Sequence, residues 1–183
     1  AALRAGATIV NDVSAGRLDP SILDVAATAG SGYVAMHMKG EPRTMQDEPR
    51  YDDVVGEVTA FLVERVAAAR AAGIGDGAIA VDPGIGFGKT VAHNLALLAR
   101  LPELVAEAEV PVLVGTSRKR FLGALLRNAA GSVGEPAPDA RDDATLATTV
   151  WAVERGARVL RVHNVRATTH AVRLVRALQE AVA

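Results

Sequence analysis

Short β-branched segments and amphipathic segments alternate along the whole chain. Strands are predicted where β-branched residues cluster, near residues 8–13, 32–37, 78–82, 111–115 and 158–162. Elsewhere apolar residues recur with helical spacing, which predicts helices near residues 20–29, 52–73, 91–106, 118–127, 141–155 and 166–182. This alternation indicates successive βα units and a parallel sheet.

Two segments lack both periodicities and are predicted to be long loops. They are residues 38–51 (MKGEPRTMQDEPRY) and residues 128–140 (NAAGSVGEPAPDA). Long loops in a compact βα protein usually cover active sites. At the first helix, Asp19 followed by Pro20 predicts an N-cap with proline at the first helical position.

Composition narrows the class of protein. The 183 residues suit a single domain, and 50% hydrophobic with only 3% aromatic residues indicates an aliphatic core of helices on a parallel sheet. A net charge of -1 provides no overall field for nucleic acid or an anionic membrane. The absence of cysteine excludes disulfides and thiolate metal sites, and without a long apolar run we expect a cytoplasmic protein.

Polar residues stand at or just after the carboxyl end of each predicted strand. They are Asn11, Asp12, His37, Asp82, Ser117, Arg118, Lys119, Arg161 and His163. Any one of them could simply satisfy loop backbone. In a βα barrel, however, these strand ends converge on one mouth, so their agreement at five strands favours a shared site.

The segment 80–90 (AVDPGIGFGKT) carries the strongest local signal. It ends a strand at Asp82 and continues with three glycines that let backbone approach a ligand. It matches neither common phosphate loop, because Pro83 replaces a required glycine of one and Lys89 replaces a required glycine of the other. The alternative is a tight strand-to-helix turn with a capping role.

Two cationic clusters predict an anion site. Ser117 is placed to cap the helix at 118–127, yet Arg118, Lys119 and Arg120 crowd its first turn and oppose the helix dipole. We therefore expect an anionic ligand there, with Arg118 and Lys119 as its contacts and Arg120 as a surface charge.

Arg161 and His163 are two residues apart, so they should share one face of the last strand, with Val162 on the other. The pair could donate to phosphate, and barrel enzymes commonly bind phosphate after their last two strands. The alternative is a salt bridge from Arg161 to Asp12 or Asp82.

Five motifs resemble the dihydropteroate synthase family in order and spacing. They are IVNDVSAG, MHMKGEPRTMQ, DPGIGFGKT followed by HN, LVGTSRKRFLG, and GARVLRVHNV, and they cover nearly all the chain except residues 128–140. The resemblance implies a (β/α)8 TIM barrel of folate biosynthesis that joins 6-hydroxymethyl-7,8-dihydropterin diphosphate to 4-aminobenzoate, giving 7,8-dihydropteroate and diphosphate. It also implies Mg²⁺, a homodimer and sensitivity to sulfonamides.

The resemblance assigns roles to individual residues. It implies pterin contacts from Asn11, Met36, Asp82 and Lys119, aminobenzoate contacts from Phe87, Ser117 and Lys119, and diphosphate contacts from Arg161 and His163, with Arg118 packed nearby. Asp82, Lys119, Arg161 and His163 would be the catalytic residues, acting mainly through electrostatics and without a protein nucleophile.

Comparison with the family pattern predicts that the first three βα units of the family are absent from this chain. The metal ligand should lie in those units, so none is expected in this chain, and the residues alone should be marginally stable and inactive. Asn164 stands where the family has aspartate, and we expect little effect from this change.

Two alternatives stay open on sequence grounds. One is a pterin-binding paralogue without catalysis, or an inactive fragment. The other is the pterin domain of a corrinoid-linked methyltransferase, which should lack SRKRFLG and the pair formed by Arg161 and His163.

Overall fold

The computed structural model describes residues 1–127 and 134–181, and within them five short parallel strands are present. The strands are β1 (Ile9–Asp12), β2 (Gly32–Met36), β3 (Ile79–Asp82), β4 (Leu113–Val114) and β5 (Val159–Leu160). All five were predicted near these positions, although β4 and β5 are shorter than the sequence indicated.

The strands follow one another in space in the order of the sequence. β1, β2 and β3 pair in parallel, β4 pairs in parallel with β5, and a single bridge from Val81 to Val112 connects the two groups. This arrangement confirms a parallel α/β fold and brings the carboxyl ends of the strands to one side. Over the described residues the strands do not close into a barrel.

Seven α-helices lie within the described parts of the chain. They are α1 (Ser21–Thr28), α2 (Val54–Ala71), α3 (Val91–Ala99), α4 (Leu101–Ala108), α5 (Arg120–Leu126), α6 (Asp142–Glu154) and α7 (Val165–Glu180). No described helix combines the length and the apolar character needed to cross a membrane. Helix α2 supplies much of the core, because Val55, Val58, Leu62 and Val66 form one buried stripe at helical spacing.

The prediction of one helix at 91–106 was wrong. Arg100 leaves the helical conformation, and Pro102 then lies in the first turn of α4. A proline at 102 could not continue α3, because its ring would clash with the carbonyl of Leu98. That carbonyl instead accepts a hydrogen bond from the Trp151 indole at 2.9 Å.

Polar side chains cap three of the described helices, α2, α3 and α7, the last through Asn164, which accepts from the Ala167 N–H at 3.1 Å. Asp53 caps α2 by accepting from the Val55 N–H, and Thr90 forms a reciprocal capping box with His93 at α3. The prediction of an N-cap at Asp19 was wrong, because Pro20 holds the N-cap position of α1; the Asp19 carboxylate accepts from the Ser21 N–H at 3.0 Å from one residue further back. The proline that follows Asp19 precedes α1 rather than opening it.

The loop at 38–51 lies against the glycine-rich segment that follows β3. The Gln46 amide donates to the Gly86 carbonyl, and the Tyr51 hydroxyl donates to the Gly88 carbonyl at 2.8 Å. The loop is therefore present as predicted and covers part of the strand-end face. In the other predicted loop, residues 128–133 lie outside the described residues, and Asp139–Arg141 forms a short 3₁₀ turn before α6.

Candidate functional site

The side chain of Arg161 joins three strand ends. One guanidinium nitrogen donates to the Asn11 side-chain oxygen at 3.0 Å, and another donates to the Asp82 carboxylate at 2.9 Å. The predicted convergence of β1, β3 and β5 is therefore present. The Arg161 to Asp82 salt bridge, which the sequence left open as an alternative, is present too.

Asp82 forms the floor of this cluster and is only 1% exposed. Its carboxylate also accepts from the Gly84 N–H at 2.7 Å. Burial raises the pKa of Asp82, while the nearby Arg161, the Gly84 N–H and Lys119 oppose that shift. A ligand that displaces Arg161 must therefore offer this carboxylate new donors.

Lys119 reaches the same region from the segment that follows β4. Its ammonium group donates to the Ile85 carbonyl at 2.7 Å and lies 4.1 Å from the centre of the Phe87 ring. Burial lowers the pKa of Lys119 to about 8, and the Asp82 charge opposes this. Lys119 also borders a second cavity of about 390 Å³ on the side of Gln46 and Arg120.

A cavity of about 400 Å³ opens beside the cluster. It is lined by Asn11, Val13, Met36, Phe87, Gly115, Ser117, Lys119, Arg161, Val162 and His163. Seven of the eight site residues implied by the resemblance are in this lining, and the eighth, Asp82, is bonded to Arg161 directly beneath it. Val162 was expected to face the other way, but β5 ends at Leu160 and strand alternation no longer holds there.

Ser117 and His163 are in direct contact at the edge of this cavity. The Ser117 hydroxyl lies 2.8 Å from the Nδ1 atom of the His163 ring. The backbone N–H of His163 donates to the same hydroxyl at 3.2 Å. The prediction that Ser117 caps the following helix was wrong. Helix α5 begins only at Arg120, and the Ser117 hydroxyl is directed toward the end of β5.

Arg118 does not line the cavity as the sequence predicted. Its guanidinium forms two bonds with the Asp142 carboxylate, at 2.8 and 3.0 Å, so the charge is directed toward α6. The pKa of Asp142 is lowered mainly by this pair. Arg120 is a surface charge as expected, with 89% of its side chain exposed.

Asp12 also turns away from the cavity, although it follows Asn11 directly. Its carboxylate accepts from the Ser14 N–H at 2.9 Å, the Gly16 N–H at 2.5 Å and the Tyr33 hydroxyl at 3.2 Å. Asp12 therefore holds the turn after β1, and the alternative salt bridge from Arg161 to Asp12 is not formed among the described residues.

One buried pair behind the site was not assigned a role from the sequence. The Lys89 amine lies 2.9 Å from the His37 Nδ1 atom and donates to the Phe87 carbonyl at 3.0 Å. Burial lowers the pKa of Lys89 to about 7 and that of His37 to about 3. The positive charge of Lys89 lowers the pKa of His37 further. The sequence placed His37 at the end of a strand and Lys89 in the glycine-rich segment. It gave no local sign that the Lys89 side chain would be buried.

The close approach of backbone segments explains two glycines of the segment 80–90. A Cβ atom on Gly84 would lie 1.9 Å from the His37 carbonyl oxygen, and one on Gly88 would lie 2.3 Å from the Lys39 carbonyl oxygen. Both glycines also have positive φ angles, +65° and +61°. The segment can therefore lie against the end of β2 only because these residues lack side chains.

The fold and the site agree with comparisons to known proteins. Residues 1–163 match the family described as pterin binding enzyme. The dihydropteroate synthase of Mycobacterium leprae is 49% identical over 176 residues, covering 96% of this chain and 61% of that protein. The chain thus spans about three fifths of the length of this curated relative.

Two solved structures have closely similar backbones. Dihydropteroate synthase from Stenotrophomonas maltophilia, with imidazole in its active site, has a TM-score of 0.88 at 46% identity, covering 97% of this chain and 64% of that one. The Xanthomonas albilineans enzyme in complex with 7,8-dihydropteroate has a TM-score of 0.85 at 44% identity, covering 97% and 62%. On the match over residues 1–163, this chain belongs to the pterin binding enzyme family.

Proposed function

We propose that this chain carries most of the substrate site of a dihydropteroate synthase. The similar proteins bear that name, and one of them is seen with 7,8-dihydropteroate. The observation that carries the proposal is the meeting of Asn11, Asp82, Lys119 and Arg161 around one cavity. The reaction joins 6-hydroxymethyl-7,8-dihydropterin diphosphate to 4-aminobenzoate and releases diphosphate.

Pterin binding would use the acceptors that Arg161 now occupies. A pterin presents amide-like N–H donors, and Asp82 and Asn11 offer a buried carboxylate oxygen and a side-chain amide oxygen to receive them. The Lys119 ammonium adds a donor for a ring acceptor, and Met36 provides an apolar contact. Because unpaired polar groups in a buried site are costly, this set discriminates strongly against rings without the matching pattern.

Occupation of Asp82 by the pterin would free Arg161 for the diphosphate. The guanidinium satisfies Asp82 and Asn11 with N–H donors of the kind that the ring would also offer. Once released, it could pair with diphosphate oxygens beside His163, which lines the same cavity. Binding of the ring would thus prepare the site for the leaving group.

The chemical step would then depend on charge stabilisation. The bond from the pterin methylene carbon to oxygen breaks with its electron pair leaving on the diphosphate, and the arylamine nitrogen bonds to that carbon and loses a proton. Asp82 would stabilise the positive charge on the pterin, and Arg161 and His163 the departing anion. Phe87, Ser117 and Lys119 line the cavity where the aminobenzoate ring would lie.

Several broader features remain proposals. We propose a (β/α)8 barrel as the architecture, with the five strands described above as one part of it, and a cytoplasmic homodimer. Mg²⁺ would neutralise charge on the diphosphate, but the described residues include no group of three His, Asp or Glu side chains able to hold a metal.

Product formation by the full-length protein tests the proposal. We expect 7,8-dihydropteroate to form from the two substrates, and Lys119→Ala to abolish it. Arg158→Ala is the matched control, because Arg158 is an exposed cation just before β5, at the opposite end of that strand from the site. Pterin binding without any product would favour the non-catalytic paralogue, and unchanged turnover in Lys119→Ala would refute the assignment.

A further inference from the structure

The residues after β4 form a turn with an unusual backbone. The Lys119 N–H donates to the Thr116 carbonyl at 3.1 Å, which closes a four-residue turn with Arg118 in third place at φ +59°. This place in a turn is normally taken by glycine or asparagine, because a left-handed backbone costs other residues about 1–2 kcal/mol. Interactions outside the turn must therefore hold Arg118 in this conformation.

The start of α6 supplies those interactions. The Arg118 N–H donates to the Thr145 hydroxyl at 3.1 Å, and the Arg118 carbonyl accepts from the Arg141 guanidinium at 3.0 Å. The Arg118 side chain is bonded twice to Asp142. The backbone donor, the backbone acceptor and the charge of this one residue are thus all directed to a single neighbouring element.

The element that holds Arg118 is itself well anchored. Arg141 is 6% exposed, and its guanidinium also donates to Glu135 at 3.0 Å and to the Pro136 carbonyl at 2.7 Å. The Thr145 hydroxyl donates to the Arg141 carbonyl at 2.9 Å. The partners of Arg118 are therefore fixed by their own bonds as well as by the helix.

The two neighbours of Arg118 are the ones that reach the substrate cavity. Ser117 contacts His163, and Lys119 contacts the Ile85 carbonyl and the Phe87 ring. We propose that Arg118 is a positioning residue, whose left-handed turn, clamped by Arg141, Asp142 and Thr145, directs Ser117 and Lys119 into the cavity. This inference rests on the proposed function and assigns no substrate contact to Arg118.

Comparing Arg118→Gly with Arg118→Ala separates conformation from charge, since both changes remove the guanidinium. We expect Arg118→Ala to lower kcat/KM by on the order of 10- to 100-fold, because it keeps the strain and loses the two side-chain bonds to Asp142 that help to offset it. Arg118→Gly should lose at least about threefold less, because glycine adopts positive φ without strain. Equal losses in the two variants would mean that Arg118 acts through its charge, and would overturn the inference.

Asp142→Asn tests the clamp from the other side. If Asp142 only holds Arg118 in place, its neutralisation should lower kcat/KM by about tenfold, as expected when a small displacement reaches reacting groups. Asp143→Asn, an exposed neighbour with the same change of charge, should have no effect. An unchanged kcat/KM or a lower KM in Asp142→Asn would show Arg118 free to bind the substrate anion, contrary to the proposal.

The pKa of Lys119 gives a readout that needs no activity. The sequence has three lysines, so the side-chain amine can be assigned by NMR from Lys119→Met. We expect Arg118→Ala to move the Lys119 pKa from about 8 toward its ordinary value of 10.5, and Arg118→Gly to leave it near 8. An unmoved value in folded Arg118→Ala would overturn the positioning role. Absence of dihydropteroate from the wild-type protein would instead refute the proposed function, and the titration would still test the turn.

Discussion

Two lysines donate to backbone carbonyls of the segment that follows β3, Lys119 to Ile85 and Lys89 to Phe87, yet their other contacts differ. Lys119 donates to the Ile85 carbonyl and borders the cavity beside Arg161. The Asp82 charge partly offsets the cost of burying the Lys119 amine, as it also does for Lys89. Lys89 is 3% exposed and is bonded to two neutral acceptors, the Phe87 carbonyl and His37. Both lysines line the cavity of about 390 Å³, but of the two only Lys119 also lines the cavity of about 400 Å³ beside Arg161.

This difference separates a substrate contact from a structural support. Burial lowers the pKa of both lysines, to about 8 for Lys119 and about 7 for Lys89, so a shifted pKa by itself does not identify the functional one. Access to the cavity beside Asp82 and Arg161 identifies the functional lysine, because Lys119 lines that cavity and Lys89 does not.

Replacing each lysine with methionine should give opposite phenotypes. Lys119→Met should lower kcat/KM for dihydropteroate formation by roughly 10³-fold, since it removes a donor aimed at the substrates. Lys89→Met should keep activity within about tenfold, because its contacts are behind the site. Steady-state kinetics on folded protein measure both, and a larger loss in Lys89→Met would reverse the two roles.

Turnover should fall as pH rises through the pKa of Lys119. Below about pH 8 its amine is protonated and can donate to the substrates. Above that value kcat/KM should drop by about tenfold per pH unit if the protonated form alone is active. A rate profile from pH 6 to 10 measures this decline, and a flat profile would contradict a need for the ammonium form.

Whereas kcat/KM should fall with rising pH, the free energy of unfolding should increase because of Lys89. Its folded-state pKa of about 7 lies below the ordinary 10.5, so between these values the unfolded chain binds more protons. The free energy of unfolding should therefore rise with pH, by on the order of 1 kcal/mol per pH unit for one such group. Urea unfolding at pH 7 and 9 should show a smaller rise in Lys89→Met, where only Lys119 keeps contributing.

The smallest effect is expected at Asn164. Its side-chain oxygen accepts from the Ala167 N–H at 3.1 Å and so caps α7, which an aspartate would do equally well. Asn164→Asp should therefore change kcat/KM by less than about threefold. A larger change would show that the amide group of Asn164 has a role that a carboxylate cannot fill, such as the hydrogen bond to Asp142 that helps to lower the pKa of that carboxyl.

Sequence reasoning succeeded where chemistry depends on position along a strand. Asn11, Asp82 and Arg161 were placed together because parallel strands end at one side, and the structure has them bonded to one another. The five strands and the interruption of regular structure at 38–51 followed from periodicity. These features are local, and the pattern of apolar residues is enough to specify them.

It failed where the outcome depends on a distant partner. Nothing near Arg118 shows that Asp142, 24 residues later, takes its charge, or that the turn is left-handed. The burial of Lys89 depends on a contact with His37, 52 residues earlier. Position alone therefore identified the strand ends that form the site, but not which of the cations near them are directed elsewhere.

The glycines that admit the end of β2 have a consequence for mutational scanning. At Gly84 and Gly88 any larger residue would meet a neighbouring carbonyl oxygen at 2.3 Å or less, so substitutions there should be as poorly tolerated as those at Asp82. A map of intolerant positions would therefore mark Gly84 and Gly88 together with Asp82. Such a scan would not separate residues that contact substrate from glycines that leave room for the backbone. Titrations and measured ligand affinities would separate them.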